Sequence, residues 1–366
     1  LHKEYRRQRQ MCIRDRPDIN YTHKFMNNFT FQKIHDSTIT NLVQSNSGNF
    51  VITSAVDDYN VRLSSIKDDE TQQITVLESI PIETVFRIKD VIFDKENNSH
   101  FYCCYQRTIQ QLDIERKALI HSVNSIDRVN CISENQKILY AGCSTEIDVF
   151  DFRMQGHNPA LSLPTDENSG ESVCILSETG YLSHRYNLIS GTSHGLANFY
   201  DFRNEQRLQF DLGYIFGENL LSVDQILMNQ NKFNAPEDPG LFIMTNEPKC
   251  TRILQLDMET AGQEIVHEYR RMDSESHERY QTQFVTVGKN HDILVGSGSN
   301  DGRVLLLSGR TGHIKREHTV NKNTNSMKKS VINHISYRQD IDKGVLADSN
   351  GYVYRFNSGM LSDASI

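Results

Sequence analysis

His35, Ser54 and Asp58 carry the three parts of nucleophilic acyl transfer: an imidazole, a hydroxyl and a carboxylate. Ser54 does not sit in a G-x-S-x-G elbow. No nucleophilic role is therefore expected of the trio. Asp301 belongs with them, in the stretch GSGSNDG (296–302). Those glycines lack the spacing of a dinucleotide fingerprint or a P-loop, and the strand-like VLLL follows, so they form a tight turn and no nucleotide is expected. The 14 histidines are dispersed, and the seven cysteines contain no C-x-x-C pair. Cys103 and Cys104 are adjacent and would point to opposite faces of a strand. Neither a metal, another cofactor nor a disulfide framework is expected, and reduced thiols suit a cytoplasmic or nuclear protein.

Three further places bear charge that a partner would read. VFDFR (149–153) and FYDFR (199–203) place Asp151, Arg153, Asp201 and Arg203 at strand ends, where a guanidinium can pair bidentately with a carboxylate. The stretch 315–329 holds Lys315, Arg316, Lys322, Lys328 and Lys329 against Glu317 alone. It is read first as a solvated connecting loop and second as a site for RNA or an acidic partner. Two polar insertions, 229–240 and 267–280, are read as loops on which partners dock.

Any such residues must be positioned by a scaffold, and the chain reads as a repeat. It has 366 residues, 37% hydrophobic, with a formal net charge of -8 and no tryptophan. No apolar stretch reaches the roughly 18 to 20 residues of a membrane-spanning helix, so no membrane partner is expected. The acidic balance also argues against a dedicated nucleic-acid binder, leaving only a local basic loop for that role. A block recurs seven times: an apolar strand, a strand rich in small residues, an acidic or glycine turn, then a third apolar strand. FVITSAVDDYNVRLSSI (50–66), ILYAGCSTEIDVFDFR (138–153), LISGTSHGLANFYDFR (188–203), ILVGSGSNDGRVLLLSG (293–309) and GVLADSNGYVYRFNSG (344–359) are clear copies. FYCCYQRTIQQLDI (101–114) and LFIMTNEPKCTRILQLD (241–257) are weaker ones. Equivalent positions near the end of the block are Ser64, Leu112, Phe150, Tyr200, Leu256, Leu307 and Phe356, separated by 38 to 56 residues. Four short strands with their turns need about 40 to 45 residues, so each copy predicts one blade of an all-β, seven-bladed β-propeller with four-stranded antiparallel blades.

The blocks resemble the WD-repeat family, whose blades carry Gly-His early, Ser-x-x-Asp-Gly in the middle and Trp-Asp at the end. His35, Ser54 and Asp58 match in the first copy, with Ser64 where Trp stands, and the resemblance implies that these residues, like Asp301, hydrogen-bond within a blade and fix its turn. Asp301-Gly302 match in the sixth, and Phe150-Asp151 and Tyr200-Asp201 stand for Trp-Asp in the third and fourth. The resemblance spans residues 23–360 and implies that an N-terminal strand, within 23–33, completes the seventh blade. Residues 1–22 read as a basic leader, disordered or non-native, without the apolar region of a secretory signal, and 361–366 as a tail. The resemblance also implies a monomeric, non-catalytic interaction scaffold in a multiprotein complex. The Asp-x-Arg ends resemble the box by which some WD-repeat substrate receptors dock on the damaged-DNA-binding adaptor of cullin ubiquitin ligases. That is the alternative function, beside membership of an RNA-processing or ribosome-assembly complex. Loss of every indole N–H predicts largely incomplete hydrogen-bond networks and blades that rely on apolar packing.

Overall fold

A computed structural model describes residues 29–66, 73–82, 84–153, 158–165, 173–178, 188–202, 206–216, 222–228, 241–246, 250–256, 265–272, 282–288, 291–298, 300–320 and 330–361. The expected leader and most of the tail lie outside these residues, as do Arg203, Lys322, Lys328, Lys329 and the insertion 229–240. The described strands form seven sheets, each of four antiparallel strands, in a ring. Blade 1 comprises Ile39–Gln44, Phe50–Ala55, Asp58–Ile66 and Ile74–Pro81. Blade 2 comprises Asp90–Phe93, His100–Tyr105, Thr108–Asp113 and Ala118–Asn124. Blades 3 to 6 begin at Cys131, Val173, Ser222 and Phe284 in the same order of first, second, third and fourth strand. The first strands of neighbouring blades pack side by side around the centre. Between blades 5 and 6 this contact is a reciprocal pair: Gln225 Nε2 donates to Phe284 O (2.9 Å), and Phe284 N donates to Gln225 Oε1 (2.8 Å).

Burial follows position in the blade. The second strands, such as Phe50–Ala55 and Leu188–Thr192, are buried along almost their whole length because a neighbouring blade covers each face. The fourth strands are the outer rim, and Ala118–Asn124 is exposed at most of its residues. In His100–Tyr105 the two-residue period divides the side chains. Phe101, Cys103 and Tyr105 pack with blade 1, and Tyr102 and Cys104 with blade 3. The adjacent cysteines thus face opposite ways. Seven apolar clusters result, one at each blade junction, and the last joins Val345, Ala347 and Val353 of blade 7 to Ile39, Leu42 and Val51 of blade 1.

The seven sequence blocks are the second and third strands of the seven blades, two strands each rather than the expected three, because the apolar and small-residue segments before the turn are one continuous strand. Ser64, Leu112, Phe150, Tyr200, Leu256, Leu307 and Phe356 are all buried, and each pairs with the corresponding residue of its second strand. That partner is aliphatic or aromatic in six blades and Gly344 in the seventh. A methyl group at Gly344 would overlap the Phe356 ring, so this position is held to glycine. The stretches expected as loops are partly strand: 267–272 belongs to the rim strand Ile265–Met272 of blade 5, and Lys315 and Arg316 to Ile314–Thr319 of blade 6. A rim strand faces water on its outer edge, so its polar composition reads as loop.

Blade 7 supplies three strands from the C-terminal end, Ile332–Arg338, Lys343–Asp348 and Tyr352–Phe356. Its fourth is Thr30–Lys33, paired antiparallel from Thr30 opposite Arg355 to Lys33 opposite Tyr352. The chain then turns inward, where Ile34 N and His35 N both donate to Gly351 O (2.9 and 3.1 Å). Gly351 has φ +84°, and a side chain there would strike the His35 backbone.

Removing residues 23–33 is expected to strip the rim strand from blade 7 and leave an unpaired edge, so the protein should melt far lower and aggregate on heating. An unchanged melting temperature by circular dichroism would reject this closure. Gly344→Ala is expected to destabilise by about 1–3 kcal/mol through overpacking against Phe356, measured by chemical denaturation.

Candidate functional site

The polar residues with catalytic potential converge inside blades. In blade 1, His35 Nδ1 meets Asp58 Oδ2 at 3.0 Å and His35 Nε2 meets Thr53 Oγ1 at 2.8 Å. The connectivity is hydroxyl, imidazole, carboxylate. The hydroxyl is Thr53 rather than the expected Ser54, whose Oγ faces Asn41 (2.8 Å) and Thr40 (3.3 Å) instead. Consecutive residues of a strand point to opposite faces, and the register shifts between Thr53 and Ala55, so one position decides which hydroxyl meets the imidazole. His35 is 1% exposed and Thr53 fully buried, so no substrate reaches this hydroxyl. Burial, aided by Arg62, pushes His35 below its ordinary value. Burial works to raise Asp58, but Asn60, His35 and Arg62 hold its carboxyl below the usual range.

Other blades repeat the device with different donors. Asp148 of blade 3 accepts from Ser125 Oγ (2.5 Å) and Ser162 Oγ (2.6 Å). Asp348 of blade 7 accepts from Ser330 Oγ (2.7 Å), Tyr354 Oη (2.9 Å) and the amides of Asn350 (2.9 Å) and Tyr352 (2.8 Å). Asp301 of blade 6 accepts from Ser297 Oγ (2.7 Å) and Arg303 Nε (2.5 Å). Asp94 of blade 2 accepts from Gln111 Nε2 (3.0 Å) and Tyr102 Oη (3.3 Å). His35, Ser125 and Ser330 lie in loops entering a blade, and their carboxylates lie at or near that blade's turn between second and third strands. The expectation of largely incomplete networks is therefore corrected for blades 1, 2, 3, 6 and 7, where an imidazole, hydroxyls, an amide and a guanidinium meet the carboxylates without any indole. Blade 1 still fits the expectation in part. Ser64, where Trp would stand in blade 1, is fully buried and its Oγ has no partner.

The charged candidates are more dispersed. Arg153 folds back on its own strand end, with Nε and one terminal nitrogen on Asp151 (2.8 and 2.6 Å), while its side chain stays exposed. Asp201 is buried, and Arg203 lies outside the described residues. Lys315 pairs with both oxygens of Asp292 (2.8 and 2.6 Å), so part of the basic stretch is neutralised locally. The structure does not bring these groups together into one site. Burial raises the Cys103 and Cys143 thiols to about 12 and holds Cys104 well above its ordinary value, so none of the three is a ready nucleophile. Among the described residues no three His, Cys, Asp or Glu side chains converge as a metal set, and no helix is long and apolar enough to cross a membrane. Sequence reading missed Thr53, Ser125, Asp148, Ser330 and Asp348. The Asp-Ser-Asn-Gly turn of 348–351 carried a signal for the last, resembling the Asp-Gly turn of blade 6.

No protein-family model matches the chain, and no curated protein aligns with it significantly.

Three desolvated groups tune stability with pH. Burial, with Arg316, lowers His318 to about 4, and burial, with Arg87, lowers His334 to about 4. Burial raises Asp90 to about 6 although the amides of Ile132 and Val91 donate to it. Each imidazole takes a proton more readily in the unfolded chain, so stability falls as pH drops from about 6.5 to about 4. Asp90 acts oppositely, since its contribution falls as pH rises from about 4 to about 6. Two histidines outweigh one carboxylate, so urea midpoints should decrease on acidification across this window. His318→Phe should flatten the slope and Asp90→Asn should steepen it. Asp348→Ala, which strips four donors of one buried acceptor, should cost about 3 kcal/mol or more, read by the same denaturation.

Proposed function

We propose that this chain is a non-catalytic protein-interaction scaffold of the WD-repeat type. The observation that carries the reading is the use of the buried chemistry. Every carboxylate hub described above is occupied by donors of its own blade or of the loop entering it, with Thr53 and His35 sealed from solvent. What faces water is a rigid closed ring bearing loops, which is the arrangement by which scaffolds present partners to one another. The WD-repeat assignment rests on His35 and Asp58 joined through an entering loop and a turn between second and third strands, with Thr53 as the hydroxyl. We take the protein to act as a monomeric propeller in the cytoplasm or nucleus, without a cofactor. The ligase-receptor alternative has less support, because a partner carboxylate would have to displace Asp151 from Arg153.

The test is tandem affinity purification from native cells, with size-exclusion chromatography of the eluate. A scaffold should elute well above its 42.1 kDa mass together with stoichiometric proteins. Purified protein should show no more hydrolysis of an activated ester than Thr53→Val. A monomer without partners, or esterase activity lost with Thr53, would overturn the reading.

A further inference from the structure

Two successive inter-blade loops carry the same five-residue pattern. Thr84-Val85-Phe86-Arg87-Ile88 leads into blade 2 and Ser125-Ile126-Asp127-Arg128-Val129 into blade 3. The match is structural at each position. Thr84 Oγ1 accepts from Phe86 N (2.9 Å), and Ser125 Oγ from Asp127 N (3.3 Å). Ile88 and Val129 are fully buried pegs. The next residues are equivalent too: Lys89 N donates to Cys104 O and Asn130 N to Gly142 O, both at 2.8 Å. Between peg and hydroxyl each loop holds an apolar side chain out in water, Val85 at 77% and Ile126 at 65% exposure, two residues before an exposed arginine.

In an antiparallel four-stranded blade, connections from second to third strand and from blade to blade share one face of the disc. The turn of blade 2 at Gln106 and Arg107 therefore joins the two loops, and its backbone binds the second directly: Ser125 N to Arg107 O (2.8 Å), and Val129 N to Gln106 O (2.6 Å). Arg107 is exposed. Among the described residues Arg87, Arg107 and Arg128 have no carboxylate partner. Lys89 lies in the field of both loop arginines, which add to burial in lowering its ammonium. Phe86 and Tyr59 extend the apolar surface on the same face. The described acids there are Asp57, which is exposed, Asp127 on the Arg128 amide (2.6 Å), Glu146 in the field of Asp127, and Asp36, Asp58 and Asp90, held by Lys33, by Arg62 and by the amides of Val91 and Ile132.

We propose that this face over blade 2 docks an acidic peptide segment of a partner protein, its carboxylates on Arg87, Arg107 and Arg128 and two apolar side chains on Val85 and Ile126. The inference rests on the scaffold reading and supplies its surface. Three exposed arginines with no carboxylate partner among the described residues are complementary to an acidic ligand. Exposed apolar residues held by hydrogen-bonded loops bury area without first ordering the loop. A chain can thread its carboxylates past Asp57 and Asp127, which would repel a continuous anionic surface such as a lipid sheet.

Selection of phage-displayed random peptides of about 16 residues on the purified protein provides the probe, with binding of the enriched peptides then read by fluorescence anisotropy. Enriched peptides should be acidic with two apolar residues, and should bind more weakly as salt rises. Arg87→Glu/Arg128→Glu and Val85→Ser/Ile126→Ser should each weaken them at least about tenfold at unchanged melting temperature. Enrichment of basic or neutral peptides, no enrichment, or affinities unchanged in both variants would overturn the proposal. So would a variant effect seen only on phosphatidylserine vesicles or oligouridine. If the arginine variant still co-purifies every partner of the wild type, this surface fails while the scaffold reading stands; absence of partners from the wild type removes the scaffold reading itself.

Discussion

The bond between an entering loop and a buried carboxylate organises the molecule. A carboxylate taken out of water must be met by donors, and a donor from a distant loop meets that need while fixing where the loop crosses. His35 on Asp58, Ser125 on Asp148 and Ser330 on Asp348 are three chemical versions of one tie. Each joins the segment that arrives from the previous blade to the hairpin of the next, so each also fixes the angle between blades. The apolar clusters then fill spaces that these ties have already set in register.

How much of this was legible in the sequence depended on burial. Second and third strands are covered on both faces, so FYCCYQ and LISGTS read as apolar runs and could be counted. Rim strands are not covered: IKREHT of blade 6 presents Lys315, Arg316 and Glu317 and looks like a charged loop. The carboxylates were legible where a turn announced them, as at Asp58 and Asp301. Asp148 sits inside EIDVFD and passes for the polar member of an alternating strand. Its partner Ser125 is a serine 23 residues earlier with nothing distinctive around it. The choice of Thr53 over Ser54 was beyond reach because a bulge changes the facing by one residue, and alternation cannot foresee a bulge.

The missing tryptophans look different in this light. The positions they would occupy are buried in every blade, so the packing site persists whatever fills it. Phe356 fills it against Gly344, a large ring matched to an absent side chain, while blade 1 leaves the small Ser64 there. Side-chain donors to the carboxylates come from other positions, Tyr354 in blade 7 and Gln111 in blade 2. Volume and hydrogen bonding, joined in one indole in the family this chain resembles, are here carried by different residues.

Blade 7 joins strands made at opposite times. Thr30–Lys33 leaves the ribosome among the first described segments and finds its partner in Tyr352–Phe356, among the last. Thr38 on the loop beside it donates to Ser349, 311 positions away. Through synthesis the early strand is an open edge, and loop closure over so long a span is slow. The six intermediate blades can each form from local hairpins, but none of them closes the circle. Completion of the ring thus waits until the whole span between the two strands has been made, so closure follows synthesis of all seven blades.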